Sequence, residues 1–146
     1  MVYFGEYRGK IDGQGRLVVP AKLRAVLCDG PERLVYVVRG FEKCLILFSE
    51  KSWAEESARL GQLPLTRSKA RAFSRFFFSG VYQSKMDKQG RILIPAPLLN
   101  HAGITDRVVV AGVGSKVEVW NEDTWNGYYA ETAPLASEIA DQLDFG

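Results

Sequence analysis

Short apolar, β-branched runs recur along the chain, each bounded by glycine, proline or small polar residues. Leu17-Val18-Val19, Leu34 to Val38 and Leu45 to Phe48 lie in the first half, and Ile92-Leu93-Ile94, Val108 to Val110 and Val117 to Trp120 in the second. Runs this short between turn signals predict strands. The segment leading to Lys10 and Asp12 predicts a strand that reaches a turn at Gly13-Gln14-Gly15 and returns as Leu17-Val18-Val19. Glycine permits the positive φ of a tight hairpin, and aspartate bonds the turn backbone through its side chain. Pro20 and Pro95 end the returning strands and suit the first turn of short helices, Ala21 to Leu27 and Ala96 to Asn100. Ser49 and Asn121 are good N-caps for helices with Trp53 and Trp125 on their inner faces. A break at Leu60-Gly61-Gln62-Leu63-Pro64 precedes a basic stretch. There Arg67, Arg71 and Arg75 recur every four residues while Phe73, Phe76 and Phe77 take another face, which predicts an amphipathic helix.

The elements occur twice because the sequence does. Gly5 to Leu23 aligns with Gly80 to Leu98 at an offset of 75 residues, with 10 of the 19 paired positions identical. Arg33 to Val37 pairs with Arg107 to Ala111, and Phe48 to Trp53 with Trp120 to Trp125. The reading is mainly β with short helices. Residues 1–60 form a first repeat, 61–79 a connecting basic helix, 80–130 a second repeat and 131–146 an acidic C-terminal tail. Half a barrel has an exposed sheet edge and half a core, so the copies are expected to pair in one pseudo-twofold closed barrel.

Composition adds little until it is resolved along the chain. The 146 residues carry a formal net charge of +2. All 19 Lys and Arg lie within residues 1–116 together with 10 of the 17 Asp and Glu, whereas the segment from Val117 onward holds the other seven acids and no base. This asymmetry suggests a basic working surface and an acidic tail, and a basic surface is the electrostatic requirement for a nucleic-acid partner. An uninterrupted apolar stretch of membrane-spanning length is absent, as are the features of a signal peptide, so a cytoplasmic location is expected. Cys28 and Cys44 lack close metal-type spacing and are expected to be buried free thiols.

The repeated turn is the candidate chemistry. Lys10 with Arg16, and Lys85 with Arg91, flank glycine turns at positions related by pseudo-symmetry, where they can reach phosphates or the guanine edge in a major groove. Asp12 and Asp87, with Gly15 and Gly90, are expected to brace the turns and order the arginines. Closing a hairpin needs Gly and Asp but not Lys and Arg. Arg8 and Lys88 are further candidate DNA contacts, each present in one copy only. The only histidine, His101, lacks a partner for base or metal work and is read as structural. Asp12 and Asp87 could act as a carboxylate pair only within about 10 Å of each other in a pocket. They are accompanied by no nucleophile motif, phosphate loop or zinc spacing. Catalytic, cofactor and metal sites are therefore not expected.

The paired Asp-x-x-Gly-Arg loops at Asp12 to Arg16 and Asp87 to Arg91 resemble the signature of the MraZ family, within the AbrB-like and MazE-like swapped-hairpin barrels. The segments Lys43 to Phe48, Lys116 to Trp120, His101 to Ile104 and the arginine-bearing central helix are similar to that family too, so the resemblance spans the whole chain. It implies a nucleoid-associated regulator, usually a repressor. Such a regulator binds double-stranded DNA at short direct repeats upstream of its own gene, at the head of the division and cell-wall gene cluster. It also implies self-assembly into a ring-like homo-oligomer. Many relatives carry Lys before the Gly-Arg pair where this chain has Gln14 and Gln89, which implies fewer phosphate contacts per loop. An antitoxin-like barrel that grips a protein partner with its tail is the competing reading. The apolar Leu135, Ile139, Leu143 and Phe145 favour it, and the presence of two repeats in one chain weighs against it.

Overall fold

The computed structural model describes residues 2–145. Strands β1 (Glu6–Lys10) and β2 (Arg16–Val18) form the first turn's arms, followed by helix α1 (Ala21–Leu27) and the hairpin β3 (Leu34–Arg39) and β4 (Cys44–Ser49). Helix α2 (Glu50–Leu60) closes the first half and α3 (Ser68–Ser79) connects it to the second. The second half repeats the order as β5 (Tyr82–Lys85), β6 (Arg91–Leu93), α4 (Ala96–His101), β7 (Arg107–Gly112), β8 (Val117–Asn121) and α5 (Glu122–Thr132). The acidic tail is helical, with a 3-10 turn at Ala133–Leu135 and helix α6 (Ala136–Gln142). The caps form at the expected places. Ser49 Oγ accepts from the Ser52 N–H at 3.1 Å, and Asn121 Oδ1 accepts from the Asp123 and Thr124 N–H groups at 2.9 and 3.2 Å.

Strand pairing runs mostly between the repeats. The six-stranded sheet has the order β1-β7-β8-β4-β3-β5, all antiparallel, and β2 pairs with β6 in a separate two-stranded ribbon. The first strand of each repeat thus adds to the hairpin of the other, β1 to β7 and β5 to β3, and the hairpins meet through β4 and β8. The hydrogen-bond ladder does not close as a barrel. β1 and β5 remain as edges, and with three residues apiece β2 and β6 pair only with each other, apart from an isolated Ile11–Leu17 bridge. The ladder also shifts one sequence equivalence. Leu34 lies opposite Lys85 as Arg107 lies opposite Lys10, so Leu34 corresponds to Arg107, and Arg33 to Asp106 rather than to Arg107. Side chains alternate faces along a strand, and this register places Val35 and Val37 inside with Val108 and Val110.

A single core joins the repeats. Leu17 and Ile92 from the ribbon, Val35, Leu47, Val110 and Val119 from the sheet, and Leu23 and Leu98 from α1 and α4 belong to one buried cluster. The sheet's opposite face makes a second cluster, in which Val38, Ile46 and Phe48 meet Phe77 of α3. Trp53 is its hub, with ring centroids 5.4 Å from Tyr36 and 5.9 Å from Phe77. Trp125 plays a smaller part on the second half, 5.7 Å from Trp120. Phe76 does not share the buried position of Phe77. It is exposed, lies under the Arg39 guanidinium, and meets His101, whose Nε2 is 3.1 Å from the Gly40 carbonyl. Cys44 is buried as expected, and burial pushes its thiol up to about 12, whereas Cys28 is only half-buried; both are free.

Leu17→Ala or Ile92→Ala should cost about 2–5 kcal/mol, because either truncation leaves a cavity where the ribbon meets the core. Denaturant unfolding should remain a single transition in each variant. Two separate transitions would contradict a core common to both repeats.

Candidate nucleic-acid interface

The two Asp-x-x-Gly-Arg loops fold into the same hydrogen-bonded turn. In the first, the Asp12 N–H donates to the Arg16 carbonyl at 3.0 Å and the Gly15 N–H to the Asp12 carbonyl at 3.1 Å. In the second, Asp87, Arg91 and Gly90 repeat these bonds at 2.9 and 3.1 Å. Each aspartate closes the inside of its turn. Asp12 Oδ1 accepts from the Gln14 and Arg16 N–H groups at 2.8 and 2.9 Å, and Asp87 Oδ1 from Gln89 and Arg91 at 2.9 Å each. These backbone donors, that of the arginine foremost, hold both carboxyls below the usual carboxylate range. Gly15 and Gly90 sit at φ of +81° and +78°, a region costly to any residue with a Cβ.

The ribbon brings the loops together. Leu17 faces Ile92 at its centre, Arg16 faces Leu93 and Val18 faces Arg91. The ladder continues on either side, the Val19 N–H donating to the Gly90 carbonyl at 2.9 Å and the Ile94 N–H to the Gly15 carbonyl at 2.8 Å. Each loop therefore holds the other repeat's strand. Period-two alternation turns Leu17 and Ile92 inward and leaves Arg16, Val18, Arg91 and Leu93 on the outer face. Arg16 and Arg91 are diagonal neighbours there, about 7–8 Å apart by antiparallel geometry. Lys10 and Lys85 are exposed at the ends of β1 and β5, and Lys88 is exposed within the second loop.

The candidate residues are not equivalent. Arg91 Nε donates to Asp87 Oδ2 at 2.7 Å, whereas Asp12 holds Arg16 through its backbone N–H. Arg8 is not brought to the loops' charge set. It pairs with Glu6 at 2.7 Å and Glu122 at 3.6 Å and donates to Asn126 at 3.1 Å, which ties it to α5. The arginine stripe of α3 is also elsewhere, because α3 packs through Phe77 on the sheet face opposite the ribbon core. Two cations that the sequence reading passed over stand beside the second loop. Arg24 Nε donates to the Val19 carbonyl at 2.7 Å, and its guanidinium lies against Gly90 where a Cβ would be only 2.3 Å away. Arg33, at a φ of 58°, donates from Nη2 to the Asp87 carbonyl at 3.1 Å and accepts at its own carbonyl from the Met86 N–H at 2.9 Å. Neither lies inside the repeated motif. The only signal for them was that both follow the first hairpin, whereas Leu99 and Asp106 stand at the corresponding places after the second.

Among the described residues, no cluster of three or more His, Cys, Asp or Glu could hold a metal ion, and no helix is long and apolar enough to cross a membrane. A surface that presents guanidinium groups from the ribbon and ammonium groups from the strand ends and loop beside it is suited to an anion with regularly spaced charges.

A family profile described as "MraZ protein, putative antitoxin-like" matches the chain twice, at residues 2–76 and 77–145. A protein of Heliobacterium modesticaldum named "Transcriptional regulator MraZ" is 41% identical over 142 residues, covering 97% of this chain and 96% of its own length. Proteins of the same name from Thermoanaerobacter pseudethanolicus and Desulforamulus reducens are 44% identical over 140 residues and 40% over 142. The first match covers 96% of this chain and 95% of the relative, the second 97% of each. With two tandem matches that span its repeats and full-length relatives at this identity, the chain belongs to the MraZ family of transcriptional regulators.

Proposed function

We propose that the chain regulates transcription by binding double-stranded DNA sequence-specifically through the β2–β6 ribbon, with Arg16 and Arg91 as its principal contacts. The observation that carries this reading is the pair of guanidinium groups on one short ribbon, each beside a turn braced by an aspartate. Lys10, Lys85 and Lys88 add phosphate contacts around them, and Arg8 contributes only after release from its ion pairs. A carboxylate beside a polyanion is tolerable because each oxygen that faces the turn is occupied by backbone donors. A two-stranded ribbon has the width to enter a major groove, where arginine bonds guanine O6 and N7.

The finer biology follows the family resemblance. The regulator acts in the cytoplasm at the nucleoid, on direct repeats upstream of its own gene at the head of the division and cell-wall gene cluster. Its sign is repression. It binds as a ring-like homo-oligomer, whose avidity multiplies the modest affinity of one ribbon when subunit spacing matches the DNA repeats. Exposed Val2, Phe4, Leu143 and Phe145 supply apolar surface for that assembly. The cross-repeat pairing of β1 with β7 and β5 with β3 supports reading the fold as a swapped-hairpin barrel.

Arg16→Ala and Arg91→Ala should each weaken binding to DNA from immediately upstream of the gene by about 1–3 kcal/mol, roughly fivefold to 150-fold, where the side chain contacts a base. A phosphate contact instead lowers the salt slope by about one. Unchanged affinity at two salt concentrations, with the fold intact by circular dichroism, would contradict the assignment. The aspartates set a pH dependence of known sign. Their folded pKa values are depressed, so their stabilisation of the loops is present above the ordinary carboxylate pKa of about 4 and is lost as pH falls through the lowered values. Amide shifts of Gln14 and Gln89 should therefore stay constant from about pH 7 to pH 5 and move only below about pH 4. In Asp12→Asn and Asp87→Asn the corresponding step should vanish.

A further inference from the structure

The fold makes the two loops symmetric in backbone and unequal in charge, and we infer that the second loop, clamped by Arg24 and Arg33, is the dominant phosphate anchor. This rests on the DNA-binding reading above and adds two binding residues to it. The sequence repeat suggests equivalent loops, because Lys10 and Arg16 match Lys85 and Arg91. The tertiary neighbours break that equivalence. At the offset of 75 residues, Arg24 corresponds to Leu99, a partly buried residue packed on the core. By strand register, Arg33 corresponds to Asp106. The same backbone bond is made at both places, Ile11 N–H to the Asp106 carbonyl at 2.8 Å and Met86 N–H to the Arg33 carbonyl at 2.9 Å. One loop therefore has an arginine where the other has an aspartate.

The flanking groups differ accordingly. The first loop has Lys10, Arg16 and the strand neighbour Arg107, opposed by Asp12 and Asp106. The second has Arg24, Arg33, Lys85, Lys88 and Arg91, opposed by Asp87. That is two more cations and one fewer carboxylate. Among the described residues, the ion pairs are those of Arg8, Arg59 and Arg91, so Arg24 and Arg33 keep their charge uncompensated by a carboxylate within 4.0 Å.

Both arginines are also ordered in advance. Arg24 is pinned by the Val19 carbonyl at the point where the Val19 N–H grips Gly90. Its guanidinium fills the space that the missing side chain of Gly90 leaves, a fit without counterpart at Gly15, where the nearest atom to a Cβ would be the Ile94 carbonyl oxygen at 3.0 Å. Arg33 is held in the left-handed region, a conformation unfavourable to a non-glycine residue that persists where surrounding structure fixes it. Its counterpart Asp106 has an ordinary negative φ. A strained, unpaired cation bonded to the loop's own backbone matches a binding role, and an arginine already held in place loses less entropy when a phosphate arrives.

The test uses the full-length protein and a fluorescently labelled duplex from immediately upstream of the gene, with anisotropy titrations over a series of salt concentrations. Arg24→Gln and Arg33→Asn should each weaken binding roughly threefold or more and lower the salt slope by about one, while Arg107→Gln beside the first loop does less. Asparagine tolerates positive φ, so the Arg33 variant removes charge without adding strain. Arg24→Lys and Arg33→Lys should recover most of the slope. If the wild type and Arg16→Ala/Arg91→Ala behave as the DNA reading requires but Arg24→Gln and Arg33→Asn bind like wild type, or no more weakly than Arg107→Gln, this inference fails alone. Lysine variants as weak as the neutral ones would assign both arginines a purely structural part and overturn it too. If the wild type shows no salt-dependent binding, the DNA reading itself falls. Should Arg24→Gln lose its native thermal transition, the Arg33→Asn and Arg33→Lys pair decides the question.

Discussion

The pairing of β2 with β6 is the constraint on which the rest depends. Three residues from each repeat, with Leu17 and Ile92 fully buried between them, bond across the pseudo-twofold, and each loop glycine supplies a carbonyl to the other repeat's strand. Each turn closes on its own backbone bonds, but the ladder that anchors it to the fold comes from the other half, and a lone two-stranded hairpin is marginal in water. The loops are thereby displayed rigidly. The same residues that bury the ribbon's inner face force its arginines to the outer one.

An aspartate conserves its charge near a prospective polyanion only if that charge has local work. Asp12 and Asp87 have it: two backbone donors apiece, and for Asp87 the Arg91 guanidinium as well. The contrast with Arg8 is instructive. Its motif position is as good as that of Lys10, yet two carboxylates and Asn126 engage it, so charge in the sequence does not translate into charge available to a ligand.

The sheet separates two kinds of surface. On one side lie the ribbon, α1 and α4 with the main core. On the other, α2 and α3 cover the first half through the Trp53 cluster and α5 covers the second through Trp120 and Tyr128. The unequal coverings, like the unequal flanks of the loops, show two copies of one motif that have taken different neighbours. A repeat in sequence sets a backbone that is nearly symmetric, while side chains outside the motif set an electrostatic field that is not.

Much of this was present in the chain order of residues. The paired Asp-x-x-Gly-Arg turns, the prolines that end the returning strands, the Ser49 and Asn121 caps and the alternation of the strands are short-range features. Local backbone sterics and period-two burial determine such features, so they were legible without a partner segment. What pairs with what was decided by the tertiary structure. The six-stranded ladder stays open with the ribbon separate from it, an outcome the sequence did not fix because hydrogen-bond ladders depend on register between segments far apart in the chain. The same long-range register set Asp106 rather than Arg107 against Arg33, brought Arg24 onto Gly90 and carried Arg8 away to α5. Local sequence determines the shape of each turn, whereas only the folded chain determines which charges surround it, since Coulombic neighbours are a matter of distance in space.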